Sequence, residues 1–193
     1  MRGIPVVAFI VMLFVALVGA PVAVAATTGG TTYETEKERQ AKAEKRFKVR
    51  AVPGATAVIT PNGLAAAPLD APPQVQAAIA AANRIIGKPY KYGGGHGKVE
   101  DSGYDCSGTV SYALIGAKLL KTPLDSSSFM RWGEAGPGAW ITVYTNPGHA
   151  FAVIAGLRLD TSAAGDPSGG KGPRWRPVLR STRGFKARHP VGF

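Results

Sequence analysis

Cysteine is nearly missing: Cys106 is the only one in 193 residues. One thiol excludes an intrachain disulfide framework, and it excludes the paired Cys-x-x-Cys spacing of structural zinc sites. Histidine is scarce, with only His96, His149 and His189. A metal hydrolase built on His96, Cys106 and His149 would lack the i, i+4 ligand spacing that such sites favour. No metal and no cofactor is therefore expected. Acids are few, 12 against 23 Lys and Arg, for a formal charge of +11. No nucleic-acid motif accompanies that charge, and the bases do not interleave with aromatics in one patch, so no nucleic-acid partner is expected. No internal repeat is visible. The one long apolar run, Val6 to Val18, stops short of the ~20 residues a membrane span needs.

That run follows the positive start Met1-Arg2 and leads to Ala23-Val24-Ala25. The pattern reads as a secretory signal over residues 1–25, cut after Ala25. An uncleaved anchor is the alternative reading. No cysteine near the cut rules out lipid attachment there. A secreted or cell-wall location follows, with no stable membrane span after cleavage. Residues 1–25 hold one arginine and no acid, so the remaining 168 carry a formal +10. That length suits one domain with a real core. The charge suits a polyanion such as an anionic wall polymer, and general solubility explains it equally.

Residues 26–71 read as a linker. From Glu34 to Arg50 four acids precede or mingle with seven bases, with few apolar residues to dock a helix. Residues 51–73 are rich in Ala, Pro and Gly. They hold one short candidate strand, Ala57 to Thr60, ended by the turn Pro61-Asn62-Gly63. Asp70-Ala71-Pro72-Pro73 reads as a capped helix start. Val75, Ile79, Ala82 and Ile86 then mark one helical face, stopped by Gly87. The domain is expected to span 72–193.

Residues 88–105 form a loop in which Gly93-Gly94-Gly95 leaves room for a close approach. Val110, Leu114 and Ala117 share a helical face, which puts Cys106 in the first turn. Residues 121–137 read as an irregular connection. Strands are expected over Trp140–Thr145, His149–Ala155 and Leu157–Ser162, then a mobile surface loop over 163–173. Further strands are expected over Pro177–Ser181 and Phe185–His189. Helices first and antiparallel strands later argue an α+β fold.

A thiol attacks a carbonyl as thiolate, and its ordinary pKa of about 8.5 leaves little thiolate at neutral pH. A helix N-terminus and a nearby imidazolium both lower that value. Cys106 has the first, and His149 at a strand start can supply the second. The backbone N–H of Cys106, free of intrahelical partners, can meet an oxyanion. A small buried cysteine is the plain alternative, but polar Asp105 and Ser107 flank it. The layout is papain-like: a nucleophile at a helix N-terminus, packed against an antiparallel sheet that carries the general base. The base needs a polar partner to orient it. If the following hairpin turns through two residues, even positions on the next strand share the face of His149. That selects Asp160 over Thr161, whereas a three-residue turn would reverse the parity. His96 is a lesser candidate for the cleft, and His189 reads as closing a terminal strand.

Gly87-Lys88-Pro89-Tyr90-Lys91-Tyr92-Gly93-Gly94, then Asp105-Cys106-Ser107-Gly108, then Gly148-His149 before an apolar strand resemble the NlpC-type cell-wall cysteine peptidases over about residues 72–193. The resemblance implies a cysteine-type peptidoglycan endopeptidase acting on stem peptides through a thioester, at the bond between γ-D-glutamate and a diamino acid. It implies Cys106 as nucleophile, His149 as base, the substrate-binding Tyr90 with its hydroxyl near the nucleophile, and Asp105 and Ser107 around the substrate's free amino end. The family's usual His, Asn or Gln on the strand after the base is missing here, as is the acid of its Pro-Gly-Asp-Leu run. A non-catalytic wall-binding module that keeps the fold is the alternative.

Overall fold

The computed structural model describes residues 54–167, 169–177 and 179–193. The expected signal at 1–25 and the charged segment to Arg50 lie outside them. Among the described residues no helix is long and apolar enough to cross a membrane.

Helix α1, Pro73–Ile85, starts with proline at its first turn, where a missing N–H costs nothing. Asp70 does not cap it: Pro72 is the N-cap and makes no side-chain cap bond. Val75, Ala78, Ile79 and Ala82 face inward, as the spacing predicts, while Ile86 is only partly buried. Helix α2, Cys106–Gly116, is capped by Asp105, whose side chain accepts from the Gly108 N–H. Val110, Ala113 and Leu114 of α2 have no exposed surface. This helix is sandwiched between α1 and the sheet. A one-turn helix α3, Ser126–Phe129, is capped by Asp125.

A short hairpin of β1 (Val58–Ile59) and β2 (Ala65–Ala66) precedes α1. The main sheet holds β3 (Glu134–Ala135), β4 (Ile141–Asn146), β5 (His149–Ile154), β6 (Leu157–Asp160), β7 (Arg174–Arg176) and β8 (Lys186–His189). Its order is β3-β8-β4-β5-β6-β7, and every pair is antiparallel. The fold is α+β.

One face of the sheet packs on the helices through Ile141, Val143, Ala150, Ala152, Ile154, Leu159 and Trp175. By alternation the other face carries His149, Phe151, Arg158, Asp160 and Arg176. It too is largely buried. Arg158 donates to the Ala164 carbonyl, and Arg176 to Asp166 and to the carbonyls of Gly169 and Gly170. The loop after β6 is thus tied over this face, where the sequence suggests a mobile surface loop.

Three boundaries differ from expectation. Residues 57–71 belong to the domain rather than to a linker. Ala57, Ala65 and Ala71 sit in the main core, and the Ala57 N–H donates to the Ala155 carbonyl at 2.8 Å. Small side chains fill space between elements without any periodic signal. The described residues of 177–181 form no strand. The strand is Arg174–Arg176 instead, because Trp175 enters the core and Pro177 cannot donate to the ladder. The connection 121–137 holds α3 and β3.

Asn83 joins the layers. Its Oδ1 accepts from the Ala65 N–H at 2.9 Å and from Trp175 Nε1 at 2.8 Å, and its Nδ2 donates to the Ala65 carbonyl at 2.9 Å. Asn83→Ala strands these buried groups. The expected loss is about 3 kcal/mol, which lowers Tm by roughly 6–12 °C for a domain of this size. A thermal melt with Tm unchanged would count against this role.

Candidate active site

Two elements converge on the site from opposite sides of the core. Helix α2 presents Cys106 at its first residue, and β5 presents His149 at its first residue. Between them the core closes on Ala150 and Ala152, both buried. Alanine at these positions lets the helix lie close to the strand.

Asp105 organises the thiol side. Its Oδ1 accepts from the Gly108 N–H at 2.7 Å and the Ser107 hydroxyl at 3.2 Å, and lies 3.0 Å from His96 Nε2. Its Oδ2 accepts from the Gly93 N–H at 3.0 Å. One carboxylate therefore caps α2 and ties the glycine loop to it. The glycines do allow a close approach, but the approaching group is the chain itself. The Gly94 carbonyl accepts from the Asp105 N–H at 3.3 Å, and a Cβ on Gly108 would collide with that same carbonyl.

His149 lies between the thiol and Asp160. Its Nε2 is 2.9 Å from Asp160 Oδ1. The Cys106 thiol acts on the same ring, raising the His149 pKa while His149 lowers that of the thiol, and with Nε2 on Asp160 the nitrogen left for the sulfur is Nδ1. The hairpin supplies the parity that selects Asp160. Ile154 pairs with Leu157, so the turn is Ala155-Gly156. Both have positive φ, 47° and 82°, the signature of a two-residue type I′ turn. Asp160 is then one diagonal step from His149 on the same face.

Asp160 has no exposed side-chain surface. It accepts from the Ser162 N–H at 2.8 Å and from Arg180 Nη1 at 3.2 Å, and Arg158 Nε lies 3.7 Å away. Burial alone would raise its pKa. The His149 bond, the Ser162 N–H and Arg180 outweigh burial and hold it below the usual carboxylate value. Phe151 and Phe185 flank His149, each with ring centroids 6.3 Å away, and the Arg180 guanidinium lies 5.3 Å from the centre of each phenyl ring.

The electrostatics favour an ion pair. Burial would lower the His149 pKa, but the bonds to Asp160 and Cys106 and their charges push it up to about 9. Burial would raise the Cys106 pKa. The His149 bond, the Ala150 N–H and the charge on His149 outweigh burial and bring it below the ordinary thiol value. The sulfur is partly buried and borders an open cleft of about 480 Å³. Tyr90, His96, Asp105, Ser107 and Asp125 also line that cleft. The Tyr90 hydroxyl pKa is raised by burial, then by Cys106 and Asp105, which places it in their field.

All six residues singled out in the sequence are thus gathered around one site. His96 joins them in the cleft, 3.2 Å from the Ser107 hydroxyl. His189 stands apart at the end of β8, bonded to Gly136 and Glu134. Sequence reasoning missed Asp125, although Asp125 three residues before Ser128 is a legible cap signal. It also missed Arg158, Arg180 and Phe185, for which no local pattern exists. Among the described residues no group of three metal-ligating side chains is arranged to hold a metal ion. No model of a known protein family matches this chain, and no curated protein is significantly similar to it.

The shifts fix the sign of the pH response. A thiol with lowered pKa beside a ring charged up to about pH 9 is ionised at lower pH than an ordinary thiol. Cys106 should therefore be alkylated by iodoacetamide at pH 6 faster than an ordinary thiol. His149→Gln removes the cation while burial remains, so the thiol pKa rises above its usual value. The alkylation rate at pH 6 should fall at least about tenfold. Equal rates for parent and variant would refute the ion pair.

Proposed function

We propose that this protein is a secreted cysteine peptidase that hydrolyses peptidoglycan stem peptides. The observation that carries the reading is the chain of contacts from the Cys106 thiol through His149 to buried Asp160, beside an open cleft. The architecture is read as papain-like, with the cysteine at a helix N-terminus and the histidine on an antiparallel sheet. The substrate comes from the resemblance of the Tyr90, Asp105–Gly108 and Gly148–His149 segments to the NlpC-type enzymes. Export rests on residues 1–25, and the basic charge suits attachment to anionic wall polymers.

In this reading the Cys106 thiolate attacks the amide carbonyl carbon, forming the C–S bond. The carbonyl oxygen takes the electron pair and is met by the Cys106 N–H, which as the first helical residue has no intrahelical acceptor. The C–N bond then breaks, and the His149 imidazolium protonates the leaving amine. Asp160 keeps the ring oriented and charged between these steps. Water next attacks the thioester, giving a proton to His149. The C–S bond breaks, which releases the carboxylic acid and restores the thiolate. The bond favoured by the resemblance joins γ-D-glutamate to a diamino acid. Asp105 and Ser107 lie on the acyl side, towards the free amino end of the stem peptide. Most acceptor positions of Asp105 are taken by the protein itself. Asp125, an exposed residue, supplies a second, more open carboxylate in that cleft.

Cys106→Ala should abolish release of stem-peptide fragments from purified peptidoglycan while the far-ultraviolet circular dichroism stays that of the parent. Mass spectrometry of the products identifies the bond. Undiminished release by a well-folded Cys106→Ala protein would rule the reading out.

A further inference from the structure

A second cleft, of about 400 Å³, shares Tyr90 with the first and is bordered by His149, Thr161, Ser162 and Lys171. The first cleft is bordered by Cys106 and not by His149, and the second by His149 and not by Cys106. Resting on the peptidase reading, we infer that the second cleft receives the leaving-group side of the substrate and selects a fragment bearing a carboxylate, with Lys171 as the counter-charge.

Proton transfer sets the direction. The leaving amine must take its proton from His149, so the departing fragment lies on the side that His149 borders. The acyl group stays with the sulfur. Charge then divides the two sides. Asp105 and Asp125 border the acyl side. No acid borders the leaving side, where Lys171 is the one residue of fixed charge. Lys171 has no ion-pair partner among the described residues.

The backbone holds Lys171 in place. The next residue, Gly172, donates its N–H to the Thr161 carbonyl at 3.1 Å, and the Gly87 N–H donates to the Pro173 carbonyl at 3.2 Å. A Cβ on Gly172 would collide with the Lys88 carbonyl, so this segment lies flush against the strip that carries Tyr90.

The wall behind the cleft adds to the field. Among the described residues Arg158, Arg176 and Arg180 face Asp160 and Asp166 there, a surplus of one positive charge. Arg158 Nε and Nη2 are buried and have no hydrogen-bond partners among the described residues. Positive charge in low-dielectric surroundings attracts an anion beyond direct contact. The preferred substrate is thus a short peptide with an ammonium on the acyl side and a carboxylate near the scissile amide on the leaving side.

The test uses two peptides identical up to the scissile bond, whose leaving fragments end in a free carboxylate or in a carboxamide. The parent enzyme should favour the carboxylate by about three- to tenfold in kcat/KM, mainly through KM and less at high salt. Lys171→Met should remove most of this preference, and Lys171→Glu should reverse the order. Equal rates with the parent, or an unaltered preference in Lys171→Met, overturn the inference. Calorimetry of the two free amine fragments with the full-length Cys106→Ala protein separates this idea from the peptidase reading. If neither peptide is cleaved but the carboxylate fragment binds more tightly, and only with Lys171 present, the subsite stands and the peptidase reading falls. If both fragments bind alike, or neither binds, the subsite falls whatever the enzyme does.

Discussion

A carboxylate with no exposed side-chain surface cannot stand alone, and Asp160 meets that constraint with a ring of donors. His149, the Ser162 N–H and Arg180 bond it directly, and Arg158 lies close behind. Each partner fixes another part of the chain. The Ser162 bond turns the backbone out of β6. Arg180 brings the segment after β7 against Phe151 and Phe185. Arg158 lies directly opposite Arg176 across the β6–β7 pair. Two like charges so placed need acceptors, and the loop after β6 supplies them through Ala164, Asp166, Gly169 and Gly170. The second face of the sheet is thereby a largely buried layer in which Asp160 and Asp166 meet the arginines.

The thiol side has its own organiser in Asp105, and the two arrangements are independent in sequence. They meet only because α2 packs on β5, where Ala150 and Ala152 keep the separation small. Burial disfavours charge on both the sulfur and the imidazole. His149 outweighs that on Cys106, and Asp160 together with Cys106 outweighs it on His149. A change that widened the gap between helix and strand would leave two half-sites, a thiol without its cation and a His149–Asp160 pair without its thiol.

Much of this was readable from the chain. The cap at Asp105, the helix behind Cys106 and the strand behind His149 follow from local rules. The choice of Asp160 followed only if the hairpin turned through two residues, and the register Ile154↔Leu157 supplied that turn. Local rules failed where small or polar residues answer to distant partners. Residues 57–71 look like a linker because alanine carries no periodic signal, yet Ala57 and Ala65 fill the core. The strand at Arg174–Arg176 depends on Trp175 meeting Asn83, 92 positions earlier.

The chain alone therefore determined what short-range geometry can express: a thiol on a helix N-terminus and a histidine on a strand, with a carboxylate in phase with it once the turn has two residues. These are consequences of hydrogen-bond patterns spanning a few residues. Which cations surround that carboxylate, which loop covers it and which charges border the two clefts were decided only by packing. Arg158, Arg180 and Lys171 carry no local signature, since their roles come from what lies across the fold rather than from what lies beside them.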